Sequence, residues 1–324
     1  METSVNKTEQ AVGTVNGAAR LSGLAVFCLG LLLVAWLPRR AVLGLSRSIG
    51  SAAFRLCGGL RRIALANLEV AFGAGLPAKE RERTAKESFR TAVLVFLDLF
   101  WFGFRRRARL AAWVALDGLA PEIREAGPAV AVTAHLGNWE ILGQAVAMRA
   151  AALESVAAPL PNAVAGGLLN RLRASSGLRI APKRGAVRAL VSALRAGGKA
   201  ALLLDQNVLP RDGGVFVEFF GLTVPVSKAA HALAARTGAP ICYGYCVIED
   251  TGRYRVVCRP AFRVAKGGET AGETTQRLAR LIEASVREHP GQWLWMYKRW
   301  KYIPPGSDGR GFPFYARPPR AGER

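Results

Sequence analysis

Residues 129–140, with the sequence AVAVTAHLGNWE, decide the fold class of this chain. The first five residues are apolar or β-branched and predict a buried strand, because strands of a parallel sheet are covered on both faces and lack polar alternation. A loop containing Gly137 and Asn138 follows, and Glu140 stands where a helix is expected to begin. A buried strand that leads through a short loop into a helix is typical of an α/β domain.

Downstream of this stretch, strand and helix patterns alternate. We predict a three-layer α/β/α domain with a mixed, mostly parallel sheet. The predicted strands are Ala129–Thr133, Lys199–Leu204, Ile241–Val247 and Tyr254–Val257, and the predicted helices are Glu140–Arg149, Val187–Arg195, Lys228–Thr237 and Thr274–Glu288.

The N-terminal part of the chain changes from polar to apolar. Residues 1–19 are small and polar, and we expect them to be disordered. Residues 21–37, LSGLAVFCLGLLLVAWL, carry no charge, so we predict a membrane-anchor helix over 20–38. Arginines accumulate after this segment, and by the positive-inside rule the following domain lies on the cytoplasmic face of the inner membrane. A buried or interfacial helix is the alternative interpretation of this segment.

The rest of the chain is expected to form one domain and a tail. We predict the domain over 39–302, helical over 39–110 and α/β over 111–302. The stretch 41–72 is basic and amphipathic, which is typical of helices that lie along lipid headgroups. Residues 303–324 are rich in Pro, Gly and Arg, and we expect a flexible basic tail.

The composition limits the partners that the protein can have. A chain of 324 residues with 51% hydrophobic content can bury a sizeable core. Its net charge of +22 indicates an anionic partner: nucleic acid, a membrane surface, a phosphorylated substrate or an acidic carrier protein. The five cysteines include no C-x-x-C and indicate neither a disulfide framework nor a zinc site. Cys242 and Cys246 lie in an apolar run and are expected to be buried.

Among the three histidines, His135 has the most suggestive position. It follows the predicted strand 129–133, and the catalytic groups of open α/β sheets gather at the carboxyl ends of strands. The H-x-x-x-x-E spacing lets an intervening turn bring Glu140 back to the imidazole. His231 and His289 lie in or at the end of predicted helices, where we expect structural roles.

His135 and Glu140 suit the transfer of an acyl group to a hydroxyl. A hydroxyl is a poor nucleophile at neutral pH, so neutral His135 would take its proton while Glu140 holds the ring and stabilises the imidazolium. Backbone N–H groups of the loop LGNW are candidate donors to the oxyanion. G-x-S-x-G is absent, which favours direct transfer over a serine intermediate. Metal-binding and nucleotide-binding motifs are also absent, so we predict no metal and no cofactor.

Several stretches of the chain, in order, resemble the late, acyloxyacyl-forming acyltransferases of lipid A biosynthesis, within the wider lysophospholipid acyltransferase group. The stretches are RRIALANLEVAF (61–72), TAHLGNWE (133–140), RASSGLRI (173–180), LLLDQNV (202–208), FVEFFG (216–221) and PGQWLWMYKRWK (290–301). The resemblance implies His135 and Glu140 as the catalytic pair, and it places Arg173 and Asp205 near the substrate.

Other predicted substrate contacts, and two departures from the family, concern the acceptor. We predict contacts from Asn138 and from Lys183 and Arg184, whose basic side chains would bind glycolipid phosphates or an acidic carrier protein. Tyr297 stands where many members of the family have His, so no acid–base role is assigned to it. Residues 155–162 lack the Arg that is often found there.

The resulting hypothesis is an O-acyltransferase that moves a fatty acyl chain from acyl carrier protein or coenzyme A to a hydroxyl of a lipid A precursor, an anionic glycolipid. The first alternative keeps this chemistry but uses an inositol mannoside, a phospholipid or an aminolipid as acceptor. The second is a non-catalytic, basic, membrane-tethered binding protein. No nucleic-acid-binding module is recognised, so nucleic acid is not expected as a partner.

Overall fold

The computed structural model describes most of the chain. It covers residues 29–30, 33–149, 152–156, 163–181, 185–265, 267–320 and 322, without the side chains of 163–165 and 168. The predicted disordered segment 1–19 lies outside the described residues, and so does most of the predicted anchor 20–38. Within the described ranges, no helix is both long enough and apolar enough to cross a membrane.

Three long helices open the described domain: α1 (Arg39–Leu56), α2 (Gly58–Phe72) and α3 (Ala78–Trp101). The buried side of α1 recurs every four residues, at Val42, Ser46, Gly50 and Phe54. This spacing places the four residues on one helix face. Helix α3 packs closely against it, because a Cβ added at Gly50 would lie 2.5 Å from the Cα of Arg90. A short helix, α4 (Arg106–Trp113), leads into the sheet.

The central sheet has seven strands in the order β1-β9-β8-β2-β5-β3-β4. Its strands are β1 (Val114–Ala115), β2 (Ala129–Thr133), β3 (Leu153–Val156), β4 (Leu178–Ala181), β5 (Lys199–Leu203), β8 (Ile241–Ile248) and β9 (Tyr254–Cys258). Every neighbouring pair is parallel except β8 and β9. The predicted mixed, mostly parallel sheet is therefore confirmed.

Helices cover both faces of this sheet. They are α5 (Pro121–Arg124), α6 (Trp139–Ala147), α7 (Ala163–Ala174), α8 (Ala186–Arg195), α9 (Ala229–Thr237) and α10 (Ala271–Glu288). Val130 and Val132 of β2 pack in one core cluster with α8, α9 and α10, while Ala129 packs in a second cluster with α6. Because side chains alternate along a strand, the two clusters lie on opposite sides of the sheet.

A separate hairpin and the C-terminal tryptophans close one core cluster. Strands β6 (Gly214–Phe219) and β7 (Leu222–Ser227) pair in antiparallel fashion through a turn at Phe220 and Gly221. Trp293, Trp295 and Trp300 are at most 2% exposed and pack near this turn, with ring centroids of Trp300 and Phe220 6.3 Å apart. The C-terminal tryptophans therefore belong to the core.

The predicted elements and the observed ones agree closely where they overlap. The eight predicted strands and helices each begin and end within three residues of their observed bounds. Strands β1, β3 and β4 and the hairpin were not predicted. In the predicted tail, Arg317 forms a bridge with Tyr302 of the domain, and the hydroxyl of Tyr315 donates to Asn67. The domain boundaries and the flexibility of the tail stay predictions.

Candidate active site

His135 lies just beyond the carboxyl end of β2, beside the end of its neighbour β5. The two strands run parallel with Thr133 opposite Leu203, so Asp205 follows β5 at the same edge of the sheet. The Nδ1 atom of His135 lies 2.8 Å from Oδ1 of Asp205, and the His135 backbone N–H donates to Oδ2 at 2.8 Å. Because a carboxylate can only accept, neutral His135 carries its proton on Nδ1 and leaves a lone pair on Nε2.

A third residue fixes the Asp205 carboxylate. Trp293 donates its indole N–H to Oδ2 of Asp205 at 2.9 Å, and Asp205 is only 4% exposed. Burial by itself would raise the pKa of Asp205, but the attraction and hydrogen bonds of His135, together with Trp293, lower it below its ordinary value. The aspartate is therefore held in its ionised form.

The contact with Asp205 also changes the pKa of His135. Burial opposes protonation of His135, but the charge of Asp205 and its hydrogen bond outweigh burial, and the charge of Glu140 adds to them, so the pKa of His135 is raised. A base with a raised pKa is a stronger proton acceptor, provided that it is neutral at the working pH.

Two side chains flank the open side of the imidazole. The ring of Trp139 packs edge-on against the His135 ring with centroids 4.7 Å apart. The side-chain nitrogen of Gln206 lies 3.4 Å from Nε2 of His135. The His135 side chain is 16% exposed, so the region around Nε2 is the part of the ring that a substrate can reach.

Glu140 is held by an arginine rather than by the histidine. It lies in the first turn of α6, and its two carboxylate oxygens accept from Nε and Nη2 of Arg173 at 3.0 and 2.5 Å. The expectation that Glu140 holds the His135 ring is therefore corrected. Asp205 does so because it ends the strand next to β2, whereas Arg173, at the C-terminal end of α7, occupies both Glu140 oxygens.

Asn138 caps α6 from inside the protein. Its Oδ1 atom accepts from the backbone N–H of Ile141 at 3.0 Å, and its amide group donates to Asp98 at 3.2 Å and to Tyr254 at 3.0 Å. Asn138 is fully buried. The structure therefore places the Asn138 side chain in the interior and not on the substrate side of His135.

Asp98 lies at the centre of a buried polar cluster that the sequence did not reveal. Both its oxygens accept from Arg39 of α1, the Nη2–Oδ2 distance being 3.2 Å, and the hydroxyl of Tyr254 donates to Oδ2. Arg39 also stacks over the ring of Trp101 at 4.9 Å from its centroid. We call Arg39, Asp98, Asn138 and Tyr254 the Asp98 cluster.

The loop between His135 and α6 is fixed by backbone contacts. Gly137 has φ of +62°, and a Cβ at this position would lie 1.9 Å from the carbonyl oxygen of Cys246. Its N–H donates to Gln292 at 2.9 Å, and the N–H of Asn138 donates to Cys246 at 2.8 Å. Two of the four N–H groups proposed as oxyanion donors are thus already bonded within the protein.

The remaining predicted residues separate into three groups. Lys183 and Arg184 lie outside the described residues. His231 bonds through Nδ1 to the hydroxyl of Thr274 at 2.9 Å, a structural contact away from His135. The hydroxyl of Tyr297 accepts from the backbone N–H of Asn207 at 3.0 Å and so holds the loop after Asp205.

Sequence reasoning missed the supports of this loop. Arg299 is 1% exposed, and its Nη1 donates to Oδ1 of Asn207 at 2.8 Å. Burial lowers the pKa of Arg299 to about 10, although the charge of Asp205 is among those that oppose the shift. The sequence signal that could have found the loop is Asp205 itself, since a polar run at the end of a buried strand marks the crevice.

Comparison of the sequence with known proteins shows the family to which the chain belongs. Residues 20–302 match the family described as bacterial lipid A biosynthesis acyltransferase. The chain is 26% identical over 291 residues to the lipid A biosynthesis palmitoleoyltransferase of Escherichia coli (strain K12), covering 88% of this chain and 93% of that protein. It is similar to the same extent to the lipid A biosynthesis acyltransferase of Shigella flexneri. The chain belongs to the bacterial lipid A biosynthesis acyltransferase family, and it is an acyltransferase.

Proposed function

We propose that this enzyme transfers a fatty acyl chain from an acyl thioester to a hydroxyl of a lipid A precursor, with His135 as the general base. The observation that carries this proposal is the pair of bonds between Asp205 and His135, which leaves Nε2 on the open side of the ring. The named relatives act in lipid A biosynthesis, which supports the choice of acceptor.

The proposed reaction needs one proton to move twice. Nε2 of His135 takes the proton of the acceptor hydroxyl while its oxygen attacks the thioester carbonyl carbon. The C=O electron pair moves to the carbonyl oxygen, and its return breaks the C–S bond. The thiolate that leaves takes the proton back from Nε2. The negative charge of Asp205 stabilises the imidazolium between these two steps.

Glu140 and Arg173 are proposed to act beside the base. Glu140 adds to the negative field that raises the pKa of His135, so it stabilises the imidazolium without touching the ring. Arg173 remains 13% exposed while it binds Glu140 in bidentate fashion. A bidentate pair keeps a guanidinium in one orientation, and an oriented guanidinium can contact an anionic acceptor.

The donor and the location belong to the same proposal. Either acyl carrier protein or coenzyme A supplies the thioester, and the net charge of +22 suits both of these anionic carriers. We propose that the protein acts on the cytoplasmic face of the inner membrane. The uncharged segment 21–37 and the arginines that follow it in the sequence support this location.

The proposal is tested by mass spectrometry of lipid A and phospholipids from cells without this gene. Loss of one acyl chain from lipid A, restored by the wild-type gene and not by His135→Ala, is the expected result. In extracts, His135→Ala should lower turnover by about 10²–10⁴-fold, because general-base assistance is lost. Glu140→Gln is expected to lose less, since it leaves the ring contact intact.

His231→Ala is the matched control, because His231 bonds to Thr274 and not to the site. It should restore lipid A as well as the wild type does. A His135→Ala gene that restored lipid A equally well would rule out the proposed base. Unchanged lipid A with an altered glycolipid or phospholipid would instead move the reaction to another acceptor.

A further inference from the structure

Gln206 occupies the position that the acceptor hydroxyl must take in the proposed reaction. Its side-chain nitrogen lies 3.4 Å from Nε2 of His135. Since Asp205 binds Nδ1, the lone pair of neutral His135 is on Nε2, and the Gln206 amide is the donor in this contact. A hydroxyl that approaches the base therefore displaces the amide by a short distance and leaves it beside the reacting atoms.

The residues on both sides of Gln206 are held, whereas its side chain is exposed. Asp205 is bonded through both oxygens to His135 and Trp293. The backbone N–H of Asn207 donates to the hydroxyl of Tyr297 at 3.0 Å, and its side-chain amide donates to the carbonyl of Lys298 at 2.9 Å. The backbone of Gln206 is thus fixed between two anchored neighbours, which keeps its amide within reach of Nε2.

A buried charge strengthens this anchor. Arg299 donates to Oδ1 of Asn207 at 2.8 Å and lies over the ring of Phe219 at 5.1 Å. The same Nη1 atom also donates to the carbonyl oxygen of Pro225 at 3.4 Å. The side-chain oxygen of Asn207 is therefore a principal acceptor for a fully buried cation. Moving this loop away would remove that hydrogen bond from the Arg299 guanidinium.

The tetrahedral intermediate needs a donor close to the base. Transition-state stabilisation requires a donor aimed at the developing oxyanion. Of the four backbone N–H groups in the loop LGNW that the sequence suggests for this task, those of Gly137 and Asn138 donate to Gln292 and Cys246 instead. Gln206 presents a side-chain N–H on the open side of His135, 3.4 Å from the atom that would take the acceptor proton.

We propose that Gln206 is a catalytic residue, whose side-chain amide donates to the oxyanion formed when the acceptor oxygen attacks the thioester. This inference rests on the proposed function. The acceptor proton goes to Nε2 of His135, the new C–O bond forms, and the C=O pair moves to the oxygen that accepts from Gln206. When the C–S bond breaks, the carbonyl re-forms and the hydrogen bond from Gln206 weakens.

The test is steady-state kinetics of the full chain in detergent. The donors are thioesters of coenzyme A and of acyl carrier protein, each with a saturated dodecanoyl and an unsaturated hexadecenoyl chain, and the acceptor is the underacylated lipid A isolated from the deletion strain. Gln206→Ala should lower kcat by about 10²-fold with little change in KM, because the lost donor acts on the intermediate and not on the bound substrate.

The Gln206→Glu variant tests whether the side chain at position 206 contacts the base or has only a structural role. The added carboxylate near Nε2 stabilises the imidazolium, so the acid limb of the pH–rate profile should move to higher pH. Gln276 provides the matched control, since its amide bonds to the backbone of Glu218 in strand β6. Gln276→Ala and Gln276→Glu should leave both kcat and the acid limb as in the wild type.

The outcomes distinguish this inference from the proposed function. If wild-type protein transfers no acyl chain to lipid A with either donor, the proposed function fails. If the wild type is active while Gln206→Ala has the kcat of Gln276→Ala, only the role of Gln206 is overturned. An unchanged melting temperature for Gln206→Ala, together with the lowered kcat, excludes loss of folding as the cause.

Discussion

Asp205 binds His135 and Asp98 binds Asn138, at the two ends of the loop 135–138, and the two carboxylates differ in the chemistry of their basic partner. Both carboxylates are buried, and each accepts from an aromatic side chain, Trp293 for Asp205 and Tyr254 for Asp98. Asp205 binds an imidazole, whereas Asp98 binds the guanidinium of an arginine. An imidazole exchanges its proton near neutral pH, but a guanidinium does not.

Exposure reinforces this difference. The His135 side chain is 16% exposed and its Nε2 atom lies on the open side, while the Arg39 side chain is 3% exposed and stacks over Trp101. His135 can exchange a proton and contact a substrate, so Asp205 and its partner can take part in the reaction. Arg39 can do neither, so Asp98 and its partners hold the start of α6 in place.

The largest effect on the Asp205 end is expected from Asp205→Asn. The neutral amide no longer fixes the tautomer of His135 or stabilises the imidazolium, so kcat should fall by about 10²–10⁴-fold. The charge of Asp205 raises the pKa of His135, so its removal should lower that pKa and move the acid limb of the pH–rate profile to lower pH. The measurement is kcat over a range of pH.

Asp212→Asn is the control for this change, because Asp212 is exposed and its contact is with the neighbouring Arg211 at 3.6 Å. It should leave the profile in place. An Asp205→Asn enzyme whose acid limb stays where the wild-type limb is would show that another group sets the pKa of the base.

Asp98→Ala tests the other end by stability. The substitution leaves the buried Arg39 charge without its carboxylate, and breaking a buried pair in this way costs about 3–5 kcal/mol in the free energy of unfolding. Denaturant unfolding of the full chain in detergent measures the change. Glu249→Ala, which removes the exposed partner of Arg255 at 3.1 Å, is the control and should cost at most about 1 kcal/mol. Equal costs for the two variants would mean that the Asp98 cluster contributes little to stability.

Tyr254→Phe should have the smallest effect and gives the sharpest test of the comparison. It removes one hydroxyl, which bonds to Asp98 and Asn138, while their mutual bond and the bonds from Arg39 remain. The expected loss of unfolding free energy is about 1 kcal/mol, with nearly unchanged kcat. A fall in kcat as large as that of Asp205→Asn would show that the Asp98 cluster takes part in the chemistry.

The sequence predicts those elements whose hydrophobic pattern alone indicates the secondary structure that they adopt in the fold. Strands β2, β5 and β8 are continuous apolar runs, and their observed bounds differ from the predicted ones by at most one residue. Strands β3 and β4 escaped prediction because each has four residues and carries a charged residue. The hairpin of β6 and β7 escaped because β7 contains Pro225, and its turn lacks the usual Asn-Gly pair.

The sequence indicates several residues that the structure places near one another, but it does not indicate the contacts between them. The sequence indicates His135, Glu140, Arg173 and Asp205, yet it predicts Glu140 as the partner of His135. Strand order is not visible in a single sequence, so the carboxylate five positions away is a more obvious partner than the one seventy positions away. Only the pairing of β2 with β5 brings Asp205 beside the histidine.

The bonds from Trp293 and Leu294 connect Asp205 and His135 to a segment that is translated after both of them. Trp293 donates to Asp205, and the N–H of Leu294 donates to the carbonyl of His135 at 3.1 Å. Both residues leave the ribosome after His135 and Asp205 and after the strands that position them. A nascent chain that lacks Trp293 and Leu294 lacks these hydrogen bonds to Asp205 and His135. We therefore expect the unfinished polypeptide to have no activity toward acyl thioesters.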